Sequence, residues 1–170
     1  MTPPDRPSPR WLDADEQRAW RALLSAGRLL MDRLERDLQA DAGMPVTYYE
    51  VLVELSEAPE RSMRMSELAR RSLSSPSRLS HAVARLEELG WVRRQACPTD
   101  RRGAFAVLTD EGLRAIEAAA PGHAEAIRRH LFDHLSPAQV AEIREMGEAL
   151  TGRLLAARES ACTEAHADSA

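Results

Sequence analysis

The sequence predicts a mainly α fold, a winged helix-turn-helix set between long N- and C-terminal dimerisation helices. Three observations predict it. Apolar residues recur at alternating spacings of three and four near both ends of the chain. Two short, separately capped helical segments lie close together in the middle. Two short strands follow them, joined by a stretch of turn composition.

Residues 1–12 read as a disordered arm, because Met1–Arg10 is rich in Pro and polar residues. A helix is expected from about Asp13 to Ala40, with Asp13 as N-cap and Glu16 three residues on. Its apolar face runs Trp20, Leu23, Gly27, Leu30, Leu34. Ala42-Gly43-Met44-Pro45 breaks it. Thr47 and Glu50 are spaced as a capping box for a second, short helix with a buried stripe of Tyr48, Val51, Leu52 and Leu55. Ser62–Met65 suits a small strand, and Ser66 is the expected cap of a third helix ending at Arg71. Ser75 at N-cap and Pro76 at the first helical position open a fourth. That helix runs to about Leu89, with Leu79, Val83 and Leu86 inside, Ala82 and Leu89 beside them, and Gly90 as its stop.

Trp91–Arg94 and Phe105–Leu108 then read as strands of a hairpin, with Cys97–Gly103 as its turn. Thr109 caps the next helix, which Pro121-Gly122 is expected to kink or interrupt. Ser136 to Gln139 forms another capping box, and the last helix shows Val140, Ile143, Gly147, Leu150 and Leu154. The tail after Arg158 is expected to fray. The expected domains are therefore a dimerisation helix at 13–45, the winged lobe at 46–108, dimerisation helices at 109–158 and a flexible tail at 159–170.

Charge is distributed unevenly. Net charge is −4, yet Arg61–Arg114 holds 11 Arg against 6 Asp and Glu. A basic middle between acidic flanks suggests a surface for a polyanion. All basic residues are Arg, chain-wide, which reflects composition more than function. No apolar run approaches the ~18 residues that span a bilayer, and the N-terminus lacks the apolar core of a signal peptide. A cytoplasmic protein with no membrane partner is the expectation. Cys97 and Cys162 are too few for a disulfide framework. No Ser-His-Asp arrangement or Gly-rich phosphate loop appears, so an enzyme and a bound cofactor are not expected.

The block from Ser66 to Leu108 carries the function. The second helix of such a pair fits the major groove, with its N-terminal half against the base edges. With Leu79, Val83 and Leu86 inside, Ser77, Arg78, Ser80, His81 and Arg85 are left largely outside. Arg78 suits a bidentate contact to guanine, and His81 suits a guanine acceptor. The hydroxyls of Ser66, Ser75 and Ser77 suit phosphate oxygens. Arg93, Arg94, Arg101 and Arg102 line the hairpin, the last two at its tip, and Asp100 is placed to order that loop. Double-stranded DNA is the expected partner.

Four ordered signatures resemble the multiple antibiotic resistance regulator (MarR) family. They are Ser66-Glu67-Leu68-Ala69-Arg70-Arg71, then Ala84-Arg85-Leu86-Glu87-Glu88-Leu89-Gly90-Trp91-Val92, then Pro98-Thr99-Asp100-Arg101-Arg102, then Leu108-Thr109-Asp110-Glu111-Gly112. The resemblance implies a homodimer whose terminal helices interlock, and a regulator, commonly a repressor, released from DNA by a small aromatic or phenolic effector. Pro76 and Arg78 stand where relatives often carry other polar residues, so the operator does not transfer.

Other residues have alternative readings. Trp20, Tyr48 and Tyr49 are candidates for lining an effector pocket, or are simply core. Cys97 has basic neighbours that would favour a thiolate. His130 and His134, with Asp133 between them and His123 one heptad earlier, have a spacing that holds metals elsewhere, but no complete ligand set can be named, and no metal site is expected. A regulator responding to thiol oxidation or metal is thus one alternative. A helical protein-interaction module without DNA binding is the other, and the Arg-rich hairpin argues against it.

Overall fold

The computed structural model describes the backbone at 9–97 and 100–167 and the side chains at 9–97 and 103–157. Six α-helices and three strands are present among these residues, in the order α1 (Ala14–Ala42), α2 (Val46–Ser56), β1 (Ser62–Arg64), α3 (Met65–Arg71), α4 (Pro76–Glu88), β2 (Val92–Cys97), β3 (Asp100–Leu108), α5 (Asp110–His130) and α6 (Pro137–Ala167). The chain divides into two units, one ending at Ala126 and the other beginning at Ile127. No helix among the described residues is long and apolar enough to cross a membrane.

In the first unit, α1 begins at the expected capping box. Asp13 accepts from the backbone of Asp15 and Glu16, and Glu16 accepts from Asp13 N at 2.9 Å. The helix ends where Gly43 takes the left-handed conformation, φ 62°, which costs a residue without Cβ nothing. α2 departs from expectation. Its N-cap is Pro45, with no side-chain cap, and Thr47 and Glu50 close no box. A longer-range bond replaces it: Val46 N donates to Glu35 Oε2 on α1 at 2.9 Å. The cap comes from another helix, so local spacing does not reveal it.

α3 also starts differently. Its N-cap is Arg64, whose side chain makes no capping hydrogen bond to the helix, and Ser66 lies inside the first turn rather than capping it. α4 is as expected, with Ser75 Oγ accepting from Arg78 N at 3.3 Å and Pro76 at the first position. Leu79, Ala82, Val83 and Leu86 are buried, and Gly90 is left-handed at φ 73°. Leu89, expected beside the inner stripe, is instead exposed, because it is the C-cap and lies past the last helical turn.

The sheet is antiparallel in the order β1-β3-β2, with Ser62 opposite Val107 and Val92 opposite Leu108. The hairpin strands run further than composition suggests. β2 reaches Cys97 and β3 begins at Asp100, so Asp100, Arg101 and Arg102 belong to a strand and not to the turn. A register irregularity lies between Ala96 and Cys97. The core gathers Val51, Leu52, Leu55, Leu68, Leu79, Val83, Leu86 and Ala106, each almost fully buried.

Thr109 ties the hairpin to α5. Its Oγ1 accepts from Gly112 N at 3.0 Å and donates to Gly90 O at 2.7 Å. α5 is continuous through Pro121, against the expected interruption. Proline removes one donor from the ladder, and the flanking turns of this Ala-rich stretch carry the helix across. In the second unit, Ser136 and Gln139 form the expected reciprocal cap of α6. α6 continues to Ala167, past the expected fraying point at Arg158.

Candidate nucleic-acid interface

α4 is held from behind by its buried stripe, which fixes what its opposite face presents. Ser77, Arg78, His81 and Arg85 are exposed there, and Ser80 is half-buried. Among the described residues, neither the Arg78 guanidinium nor the His81 imidazole has a hydrogen-bond or ion-pair partner. Arg85 forms an exposed ion pair with Glu88. The Ser75 and Ser77 hydroxyls are 3.4 Å apart at the helix N-terminus.

A groove of about 530 Å³ lies between the start of α3, the start of α4 and the hairpin, lined among others by Arg64, Ser66, Ser80, Arg94 and Gly103. Sequence reading places Ser66 here as a phosphate contact and does not single out Arg64. That arginine lies 5.3 Å over the Phe105 ring and donates to Cys97 Sγ at 3.3 Å. The signal for it is an arginine at the strand-to-helix junction, read only once β1 is known to pair with β3.

The hairpin arginines differ among themselves. Arg93 is exposed and donates to Gln95 Oε1 at 3.1 Å. Arg94 is held against α4, with Nη2 donating to Ser80 O at 2.8 Å and Nε paired with Glu87 Oε2 at 3.1 Å. Sequence alone does not separate these two arginines. The turn at Pro98-Thr99 and the side chains of Asp100, Arg101 and Arg102 lie outside the described residues.

The candidate effector residues do not gather. A pocket of about 280 Å³ between α1, α2 and α5 is lined by Met31, Leu34, Tyr49, Val53 and His123, with Glu50 and Glu54. Tyr49 and His123 rings approach to 4.5 Å at 52°. His123 Nδ1 is buried without a hydrogen bond among the described residues, and burial pushes the imidazole pKa down. Burial, then the charge of Glu35, pushes Glu50 up. Tyr48 is half-buried and Trp20 is 52% exposed, and neither lines this pocket. Cys97 is buried. Among the described residues no group of three or more His, Cys, Asp or Glu comes together as a metal site.

Comparison with known proteins bears on the same block. A sequence model of the MarR family matches residues 42–103. The HTH-type transcriptional regulator PecS of Dickeya dadantii (strain 3937) is 31% identical over 133 residues, 77% of this chain and 76% of PecS. Among solved structures, Sco3205 is a MarR family transcriptional regulator from Streptomyces coelicolor, solved in complex with DNA. It is 52% identical with a TM-score of 0.81, over 84% of this chain and 90% of that one. AbsC, a MarR family transcriptional regulator from the same organism, is 45% identical with a TM-score of 0.76, over 85% and 99%.

Proposed function

The chain belongs to the MarR family of transcriptional regulators, and from that premise we propose a homodimeric repressor, released from a pseudo-palindromic operator by a small aromatic or phenolic effector. The observation that carries the DNA half is the outward face of α4, where Arg78 and His81 are exposed and unpartnered among the described residues. A generic solvated helix pairs its charges, as Arg85 and Glu88 do further along the same helix. In the proposed complex α4 lies in the major groove, with Arg78 bidentate to guanine and His81 beside it. Ser66, Ser75 and Ser77 meet phosphates around the groove, and Arg93, Arg101 and Arg102 bring the wing to the backbone or the adjacent minor groove.

Dimerisation through 13–45 and 109–158 is supported by what the single chain leaves exposed. Trp20, Leu23, Leu29 and Met31 on α1, and Ile143, Met146, Leu150 and Leu154 on α6, are each more than 40% exposed. Apolar stripes of this length are covered by a partner in obligate dimers. The cytoplasm is the proposed place of action.

The effector reading rests on the pocket between α1, α2 and α5. Glu54, which lines it, pairs with Arg71 on α3 at 2.5 Å. A ligand that displaces α2 would therefore pull on the helix that buttresses α4, and its differential affinity for the two arrangements would set the degree of release. The test begins with selection of bound duplexes from a randomised library by the full chain. The selected duplex is then titrated with a panel of hydroxybenzoates and hydroxycinnamates. Enrichment of a symmetric motif, and its release by a panel member, is expected. An unenriched library contradicts the DNA half, and a complex indifferent to the whole panel contradicts the effector half.

A further inference from the structure

We propose that Arg94 is a positioning residue, which fixes the rotation of α4 against the wing and so determines which base edges Arg78 and His81 reach; this rests on the reading of α4 as the DNA-facing helix. Arg94 makes four bonds to that helix. Nη2 donates to Ser80 O at 2.8 Å and to Ser80 Oγ at 3.2 Å, Nε pairs with Glu87 Oε2 at 3.1 Å, and the backbone N donates to Glu87 Oε1 at 2.9 Å. Ser80 and Glu87 are seven residues apart, so the anchors lie on one face, two turns or about 10.5 Å apart. One anchor would leave the helix free to pivot; two on one face fix both its tilt and its rotation.

The geometry makes this matter for recognition. Side-chain tips lie about 6 Å from a helix axis, so a rotation of about 20° moves them by about 2 Å. A bidentate contact tolerates about 0.5 Å. The buried stripe of Leu79, Val83 and Leu86 holds α4 against the core, and the directional bonds to Arg94 add a constraint on its roll. Burial separates this pair from the ion pair on the solvent side. The Arg94 and Glu87 side chains are 36% and 33% exposed, against 66% and 60% for Arg85 and Glu88. A half-desolvated, multiply bonded arginine holds its place better than an exposed one.

The sign of one substitution separates positioning from direct phosphate contact. Glu87→Gln removes a negative charge near the bound polyanion, and by electrostatics alone tightens binding to any duplex. It also breaks one of the two bonds to Arg94, because an amide nitrogen cannot accept. The duplex selected by the wild-type chain and a scrambled duplex of equal length and composition are titrated at several salt concentrations with wild type, E87Q, R94A and R94K. Their affinity ratio is independent of the folded fraction, so partial unfolding of a variant cancels.

For all three variants the ratio is expected to fall about tenfold or more, with the salt slope on the scrambled duplex unchanged for R94K and E87Q. Lysine is expected to fail as a rescue, since one ammonium cannot span both anchors. A ratio that stays at the wild-type value in E87Q, or is restored by R94K, overturns the proposal, as does an R94A effect confined to a slope shallower by about 1. If the wild-type chain selects no duplex, the underlying DNA reading fails instead.

Discussion

Gly112 shows how a single residue joins two elements. A Cβ there would collide with the Trp91 carbonyl oxygen and meet Leu108 Cδ1 at 2.7 Å. The backbone of α5 must approach the base of the hairpin closely, and the Thr109 cap brings it there. Gly112→Ala should destabilise by about 1–3 kcal/mol through overpacking, measured as a lowered denaturation midpoint. The Arg78 side chain has no internal partner among the described residues, so the melt of Arg78→Ala should match wild type. The substitution should cost about 1–3 kcal/mol per half-site in DNA binding and relax specificity at one base position. His123 gives a pH dependence. Burial beside Tyr49, Glu50 and Glu54 holds its pKa below the unfolded value, so the unfolded chain takes up the proton first as pH falls. Stability from the neutral imidazole is therefore present above the unfolded pKa of about 6.5 and declines below it. In His123→Gln the loss of melting temperature between pH 7 and 5.5 should be smaller than in wild type.

At the scale of elements, what is legible in the sequence follows from what is local. The Asp13, Ser75, Thr109 and Ser136 caps stand where their spacing places them, because each is satisfied within its own first turn. The start of α2 escapes such reading because Glu35, eleven residues back on α1, supplies its bond. The strand extents escape it because Arg101, Arg102 and Gly103 have turn composition, yet pairing with β2 carries β3 back to Asp100. Leu73 is left-handed at φ 50° between α3 and α4, a conformation that no Gly or Asn in Ser72–Ser75 signals. The outward residues of α4 are legible from its period, while the division of labour between Arg93 and Arg94 is not, since it depends on how the sheet meets the helix. The wing yields its own expectation. Arg101→Ala and Arg102→Ala should weaken binding to all duplexes more evenly than Arg78→Ala. The slope of log affinity against log salt should become shallower by roughly 1 for each phosphate that is no longer neutralised. Equal slopes for wild type and both variants would remove the wing from the interface.

At the scale of the whole molecule, apolar residues are left exposed on both long helices. The core of the first unit is complete around Leu52, Leu55, Val83 and Leu86, but α1 and α6 leave Trp20, Leu23, Leu150 and Leu154 in solvent. Sedimentation should give twice the 18.9 kDa chain mass at micromolar concentration. Leu150→Glu with Leu154→Glu should shift that mass toward the single chain, because carboxylates in an apolar seam are desolvated without partners. Two α4 helices in such a dimer would enter major grooves about one helical turn, or ~34–36 Å, apart. Selection of duplexes from a randomised library by the full chain, with the stoichiometry of the complex read by sedimentation, tests this most directly. The predicted result is a pseudo-palindromic motif with half-sites about 10 bp between centres, bound by two chains, in which Arg78→Ala erases one symmetric pair of positions. An unenriched library, or a motif unchanged by Arg78→Ala, would contradict it.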